Sequence, residues 1–178
     1  MLQKIKSLSS KRSVWLLLII TITAFLATAL YFQHVMNIQP CIKCVYIRAA
    51  FSAMLFAALI GFITAKITIL RSLALIGVIA AAVFGLNQAN ELLEIERVIA
   101  AGGFSTCAFF AEYPSWLPLE QWLPAVFEPT ASCGDDSWSL LDRSMAFWTS
   151  IILYSYIIVL TLFLLCQVVK VNSNPYKG

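Results

Sequence analysis

The chain has 178 residues, 61% of them hydrophobic and only 12% charged, with a mean hydropathy of +0.86. Soluble domains rarely exceed about half apolar residues, so this composition excludes one and indicates an integral membrane protein. The formal charge of +3 hides an asymmetry along the chain that bears on orientation rather than on nucleic acid.

Residues 1–13 form a polar, basic arm, and Val14 to Phe32 follow as an uninterrupted apolar run. About 19 residues make about 28 Å of helix, enough for a hydrocarbon core and longer than a signal-peptide core. No small-x-small cleavage site follows, so the run reads as a retained span. Gln33 to Pro40 make a short loop holding His34, the only histidine. The second span covers residues 45–65, with Gly61 as a point of close helix approach. Lys66 to Arg71 form a tight turn, and the third span runs over 69–87, with Arg71 snorkelling at its start and Asn87, Gln88 and Asn90 marking its exit.

Residues 91–144 form a long loop in which Gly102-Gly103 breaks any continuing helix and Pro114, Pro118, Pro124 and Pro129 punctuate the rest. Trp116, Leu119, Trp122, Leu123, Val126 and Phe127 recur at three- and four-residue spacing, the pattern of one short amphipathic helix lying in the headgroup layer. The fourth span covers 145–169, with Cys166 near its end as a small apolar residue. The expected fold is an all-α membrane protein, a four-transmembrane-helix bundle formed by residues 1–178 as a single domain.

All nine acidic residues lie between Glu91 and Asp142. Lys4, Lys6, Lys11, Arg12, Lys66, Arg71, Lys170 and Lys177 occupy segments without an acid. Short basic loops face the cytoplasm, so both termini are expected inside and the loops bearing Cys41, Cys44, Cys107 and Cys133 outside. A nucleic-acid footprint is the alternative for the basic N-terminus, but charges beside a span are better explained by topology.

Three chemistries compete for these four cysteines. Structural disulfides suit Cys107 and Cys133, which close a sizeable loop, and suit the tight Cys41-x-x-Cys44 ring poorly. Zinc would want two closely spaced ligand pairs, and Cys107 and Cys133 are far apart, so no metal site is expected. Redox chemistry accounts for more. The second helix begins beside Cys44, Lys43 is adjacent, and Arg48 lies one turn on along the same face, all favouring a thiolate. A reactive cysteine at the lipid boundary suits a lipid-soluble oxidant, and a quinone is the obvious one.

Phe32-Gln33-His34-Val35-Met36 followed by Pro40-Cys41-x-x-Cys44-x-Tyr46-x-Arg48 resembles the bacterial disulfide bond formation proteins of the DsbB family. Phe104-x-Thr106-Cys107, Pro114-x-Trp116-Leu117-Pro118-Leu119 and Phe127 before Cys133 are similar to the same family, so the resemblance spans the chain. It implies a multi-pass protein of the bacterial inner membrane with both cysteine pairs periplasmic. It also implies an electron relay: a reduced periplasmic DsbA-type thiol oxidase attacks the Cys107–Cys133 disulfide at Cys107, electrons pass to Cys41–Cys44, and Cys44 faces ubiquinone, or alternatively menaquinone. Arg48 matches the family's quinone-side arginine, and His34 is a candidate at the same cofactor site. Between Gln88 and Phe104 the sequence departs from the family pattern and has no histidine. Two alternatives stand beside this reading. One is a quinone reductase of the vitamin K epoxide reductase type, whose motif sits differently and lacks the Pro-x-Trp-Leu-Pro-Leu segment. The other is a non-catalytic tetraspan scaffold with structural disulfides.

Overall fold

A computed structural model describes residues 12–104, 107, 119–133 and 139–168. Among these residues four helices are long and apolar enough to cross a membrane: α1 (Arg12–His34), α2 (Ile42–Ile63), α3 (Thr68–Ala100) and α6 (Met145–Val168). Between α3 and α6 come two single turns, α4 (Leu119–Trp122) and α5 (Pro124–Phe127), and a minimal hairpin, β1 (Ser139–Leu140) with β2 (Arg143–Ser144). The hairpin turns through Leu141 and Asp142, both at positive φ (55° and 57°), the two-residue geometry that matches strand twist.

The bundle is written in the sequence as a seven-residue repeat. Ile47, Phe51, Met54, Ala58 and Gly61 of α2 face Leu75, Val78, Ala82, Gly85 and Ala89 of α3, alternating steps of three and four, so each helix keeps one stripe on its neighbour. On α6, Ala146, Ser150, Leu153 and Leu160 continue the stripe against α3. On α1, Trp15 and Ile22 are buried, with α2 as the main neighbour. Added to Gly61, a Cβ would overlap the Trp15 ring, so glycine is what lets α1 and α2 close together there. α1 meets α6 through Tyr156, whose hydroxyl donates to Thr21 Oγ1 (2.8 Å) and whose ring stands edge-on to Phe25. The outward faces are as apolar as the inside: Leu17, Phe56, Ile63, Ile69 and Leu73 are all exposed, which in water would be prohibitive and in lipid is the resting state.

Several boundaries differ from those read in the sequence. α2 starts at Ile42, three residues early, because Cys41 caps it. α3 does not stop at Asn87 but runs to Ala100, 33 residues or about 50 Å, and so outruns the membrane by several turns. The polar residues from Asn87 to Arg97 are compatible with helix, and the break waits for Gly102 at φ +85°. Arg71 does not snorkel: it is buried and donates to Ala65 O (3.2 Å), a carbonyl left over by the turn after α2. The single amphipathic helix expected across residues 116–127 is two turns, because Pro124 brings no N–H and Leu123 leaves the helical region (φ −138°, ψ 67°). Within them Trp122 and Leu123 are exposed and Phe127 is buried, so the apolar face divides between outside and core. Trp116, the Pro114–Pro118 motif, Thr106, residues 1–11 and residues beyond 168 lie outside the described residues.

Candidate redox site

Cys41 is the N-cap of α2: its backbone is extended, and its sulfur accepts from the Cys44 amide at 3.4 Å. A Cys-x-x-Cys spacing across the first helical turn places both side chains on one face, and the two sulfurs stand 2.9 Å apart. This is also the end of a helix where unsatisfied N–H groups favour negative charge. Cys41 is buried and Cys44 half-buried.

The second pair is brought to the same place. Cys107 and Cys133 form a disulfide, with Cα atoms 6.0 Å apart. The segment leading to Cys133 is sewn onto the start of α2: Thr130 and Ala131 amides both donate to Pro40 O (3.0 and 3.2 Å), Ala131 pairs with Cys41 as an isolated bridge, and Thr130 Oγ1 donates to Gln39 Oε1 (2.6 Å). Cys41, Ile42, Leu92, Cys133 and Ala146 then form one buried cluster, with Cys44 and Cys107 packed against it. The prolonged α3 supplies Leu92, which is the purpose its extra turns serve here. The two sulfurs of the disulfide have different surroundings. Cys133 is buried beside Cys41, whereas Cys107 lines an open polar cleft of about 1140 Å³ between α2 and the end of α3. Joined to each other, they offer no thiolate to zinc. Cys166 is buried on α6, at the opposite end of the helix from Ala146.

Arg48 sits on the Cys44 face of α2, one turn on, and is buried (7% exposed). Its Nη1 donates to Gln33 Oε1 and to Val126 O (3.1 Å), and its Nη2 to Ala29 O (3.3 Å). With Cys44 it lines a cavity of about 270 Å³ between α1, α2 and α6, walled by Phe25, Phe32, Phe51 and Trp148. An aromatic, apolar chamber with a few convergent polar groups is the usual form of a small-molecule site. From it an apolar groove of about 530 Å³, sharing Phe25 and Ile152, continues along the seam of α1 and α6 past Tyr156.

Sequence-derived candidates fare unequally. Cys41, Cys44, Cys107, Cys133 and Arg48 converge. His34 ends α1 exposed and is not among the residues lining the cavity; its neighbour Gln33 turns inward to Arg48 instead. Successive helical residues point about 100° apart, so of two adjacent polar residues only one faces the bundle. The same divergence takes Lys43 away from Cys44. Its ammonium pairs with Glu91, donates to Gln88 Oε1 (3.1 Å) and lies over the Tyr46 ring, so its charge is largely spent on α3. Gln33 stands in the sequence as part of the Phe32-Gln33-His34 motif, Gln88 as a polar residue closing an apolar run and Glu91 as the first of the acids, none of them singled out as a contact of Arg48 or Lys43.

A family model described as disulfide bond formation protein DsbB matches residues 11–163. Among similar curated proteins, one from Shewanella denitrificans named disulfide bond formation protein B is 37% identical over 99% of this chain and all of its own length. Proteins of the same name from Histophilus somni (40%, covering 95% of this chain and 94% of the relative) and Photorhabdus laumondii (41%, covering 94% and 97%) agree. With both cysteine pairs of the motif gathered at one end of a four-helix membrane bundle, the chain belongs to the DsbB family of disulfide bond formation proteins, oxidoreductases that generate disulfides.

Proposed function

We propose that this protein reoxidises a periplasmic DsbA-type thiol oxidase and delivers the electrons to a membrane quinone, ubiquinone or alternatively menaquinone. The observation that carries this reading is the graded exposure along one cluster: Cys107 at an open cleft, Cys133 buried against Cys41, and Cys44 on the wall of a membrane cavity with Arg48. A partner thiolate attacks Cys107, forming a mixed disulfide and releasing the Cys133 thiolate. Cys133 attacks Cys41 of the Cys41–Cys44 disulfide, which frees Cys44. The partner's second thiol then resolves the mixed disulfide and leaves oxidised. Restoring both disulfides removes two electrons and two protons from the protein. A quinone supplies that two-electron, two-proton acceptor. The aromatic cavity fits its ring, and the groove between α1 and α6 suits an isoprenoid tail. Arg48 would bind a ring oxygen and favour negative charge there, and the apolar walls would exclude water.

The need for such an acceptor is a matter of magnitude. DsbA lies at about −120 mV and ordinary structural disulfides below about −300 mV, so an ordinary disulfide would oxidise DsbA only uphill by roughly 8 kcal/mol. The relay must be pulled from its far end. The charge distribution supports cytoplasmic termini and periplasmic cysteine pairs, and the family likeness supports the inner membrane as their setting.

The test is a trapping experiment. In purified Cys44→Ser protein, quinone reduction should vanish while a mixed disulfide still forms between Cys107 and a reduced DsbA-type partner that keeps only its attacking thiol. Absence of the adduct, or residual quinone turnover, would contradict this order of transfer.

A further inference from the structure

Gln33 connects the two halves of the site. Arginine has five N–H donors and no acceptor, and the side-chain amide of Gln33 has one end of each kind. Because Arg48 can only donate and Ala125 O can only accept, the amide orientation is fixed by its neighbours: Oε1 receives Arg48 Nη1 and Nε2 donates to Ala125 O (3.1 Å). Arg48 Nη1 also reaches Val126 O (3.1 Å), one residue on in α5. Two side chains from α1 and α2 thus grip two successive carbonyls of the segment that leads through Thr130 and Ala131 to Cys133. With Ala29 O taking one Nη2 donor, three of the five N–H groups are engaged among the described residues, and the guanidinium also lines the cavity.

We propose that Gln33 is a positioning residue that couples quinone binding to the docking of Cys133 on Cys41. Gln33 orients the guanidinium so that it meets a ring oxygen in the cavity. Through the same guanidinium and its own Nε2 it latches α5, and with it the chain running to Cys133. A quinone that fixes the guanidinium of Arg48 therefore also steadies Val126 O, which its Nη1 holds. By linkage the effect is reciprocal: a docked segment strengthens quinone binding by the factor with which quinone strengthens docking. The electron donor is then held in place when an acceptor is present. This inference rests on the quinone reading above.

The test uses full-length protein in detergent micelles, freed of endogenous lipid-soluble quinone and titrated with a short-chain benzoquinone. Quinone binding is measured by equilibrium dialysis, and amide hydrogen exchange is followed at Thr130 and Ala131, whose N–H groups hold Pro40 O. Saturating quinone should slow exchange at both amides about fivefold or more, the lower edge of typical site-to-site coupling. In Gln33→Met, which keeps side-chain length without polar atoms, quinone should bind more weakly by that same factor and the slowing should disappear. A merely structural glutamine would raise exchange equally with and without quinone. Quinone that binds the wild type yet leaves exchange unchanged, or speeds it, overturns the coupling and leaves the proposed function standing. Quinone that does not bind at all overturns the reading of the cavity, and the coupling with it. Should Gln33→Met fail to fold, the wild-type titration alone decides.

Discussion

Arg48 bears the heaviest demands of any single residue in this protein. A charge at the membrane boundary is costly unless its donors are met, and here α1 and α5 meet three of them. Lysine would supply charge and reach but not a planar fork, so it cannot serve Ala29, Gln33 and Val126 together with a ligand. Arg48→Lys should insert and express normally, yet raise the Michaelis constant for quinone roughly ten- to a hundredfold, corresponding to about 1.5–3 kcal/mol for one lost charge-assisted contact. Steady-state kinetics against quinone concentration check this, and an unchanged constant and rate would reduce Arg48 to a brace for α5. Cys44 and Arg48 were legible in the sequence because four residues along a helix return to the same face. Gln33 was not, since choosing it over His34 requires the rotation of α1 about its axis, and an almost uniformly apolar helix does not disclose that.

At the scale of elements, four long apolar runs made the helices of the bundle readable, the seven-residue stripe on α2 and α3 shows how they pack, and small residues mark the tightest places. Gly61→Val would drive a branched side chain into the Trp15 ring. Overpacking of this kind costs about 1–3 kcal/mol, so the thermal transition in detergent should fall, and Trp15→Leu in the same chain should restore part of the loss. A Gly61→Val protein as stable as wild type would show that α1 has room to retreat. The ends of elements were harder to read than their middles. Polarity at Asn87 signalled the edge of the membrane, not the end of α3, because leaving lipid and leaving the helix are separate events when no glycine or proline intervenes. Conversely, the apolar spacing of Leu119, Trp122, Val126 and Phe127 implied one helix, and Pro124 cut it in two. The docking of Thr130 and Ala131 on Pro40 had no signal at all, being a backbone contact across a long loop.

For the molecule as a whole, the distribution of charge bears on the proposed orientation. Nine acids between Glu91 and Asp142 and eight bases in acid-free segments support a cysteine cluster on the outer side. In cells with a permeabilised outer membrane, a membrane-impermeant thiol reagent should label Cys107 and Cys133 after reduction and spare Cys166. Protection of Cys107 would reverse the orientation. The bundle also separates functions by end: the opposite turn, with Arg71 folded onto Ala65, holds helices together, while the capped start of α2, the overhang of α3 and the loop to Cys133 assemble the chemistry.

The proposed chemistry is a transfer of electron pairs from protein thiols to a membrane acceptor, and its stoichiometry can be counted. Purified protein, a catalytic amount, is mixed without oxygen with a reduced DsbA-type partner and excess ubiquinone, and both products are quantified over many turnovers. One hydroquinone should form for each partner disulfide, with none when any of Cys41, Cys44, Cys107 or Cys133 is replaced by serine. Partner oxidation that proceeds without matching hydroquinone, or that survives loss of Cys44, would contradict that transfer.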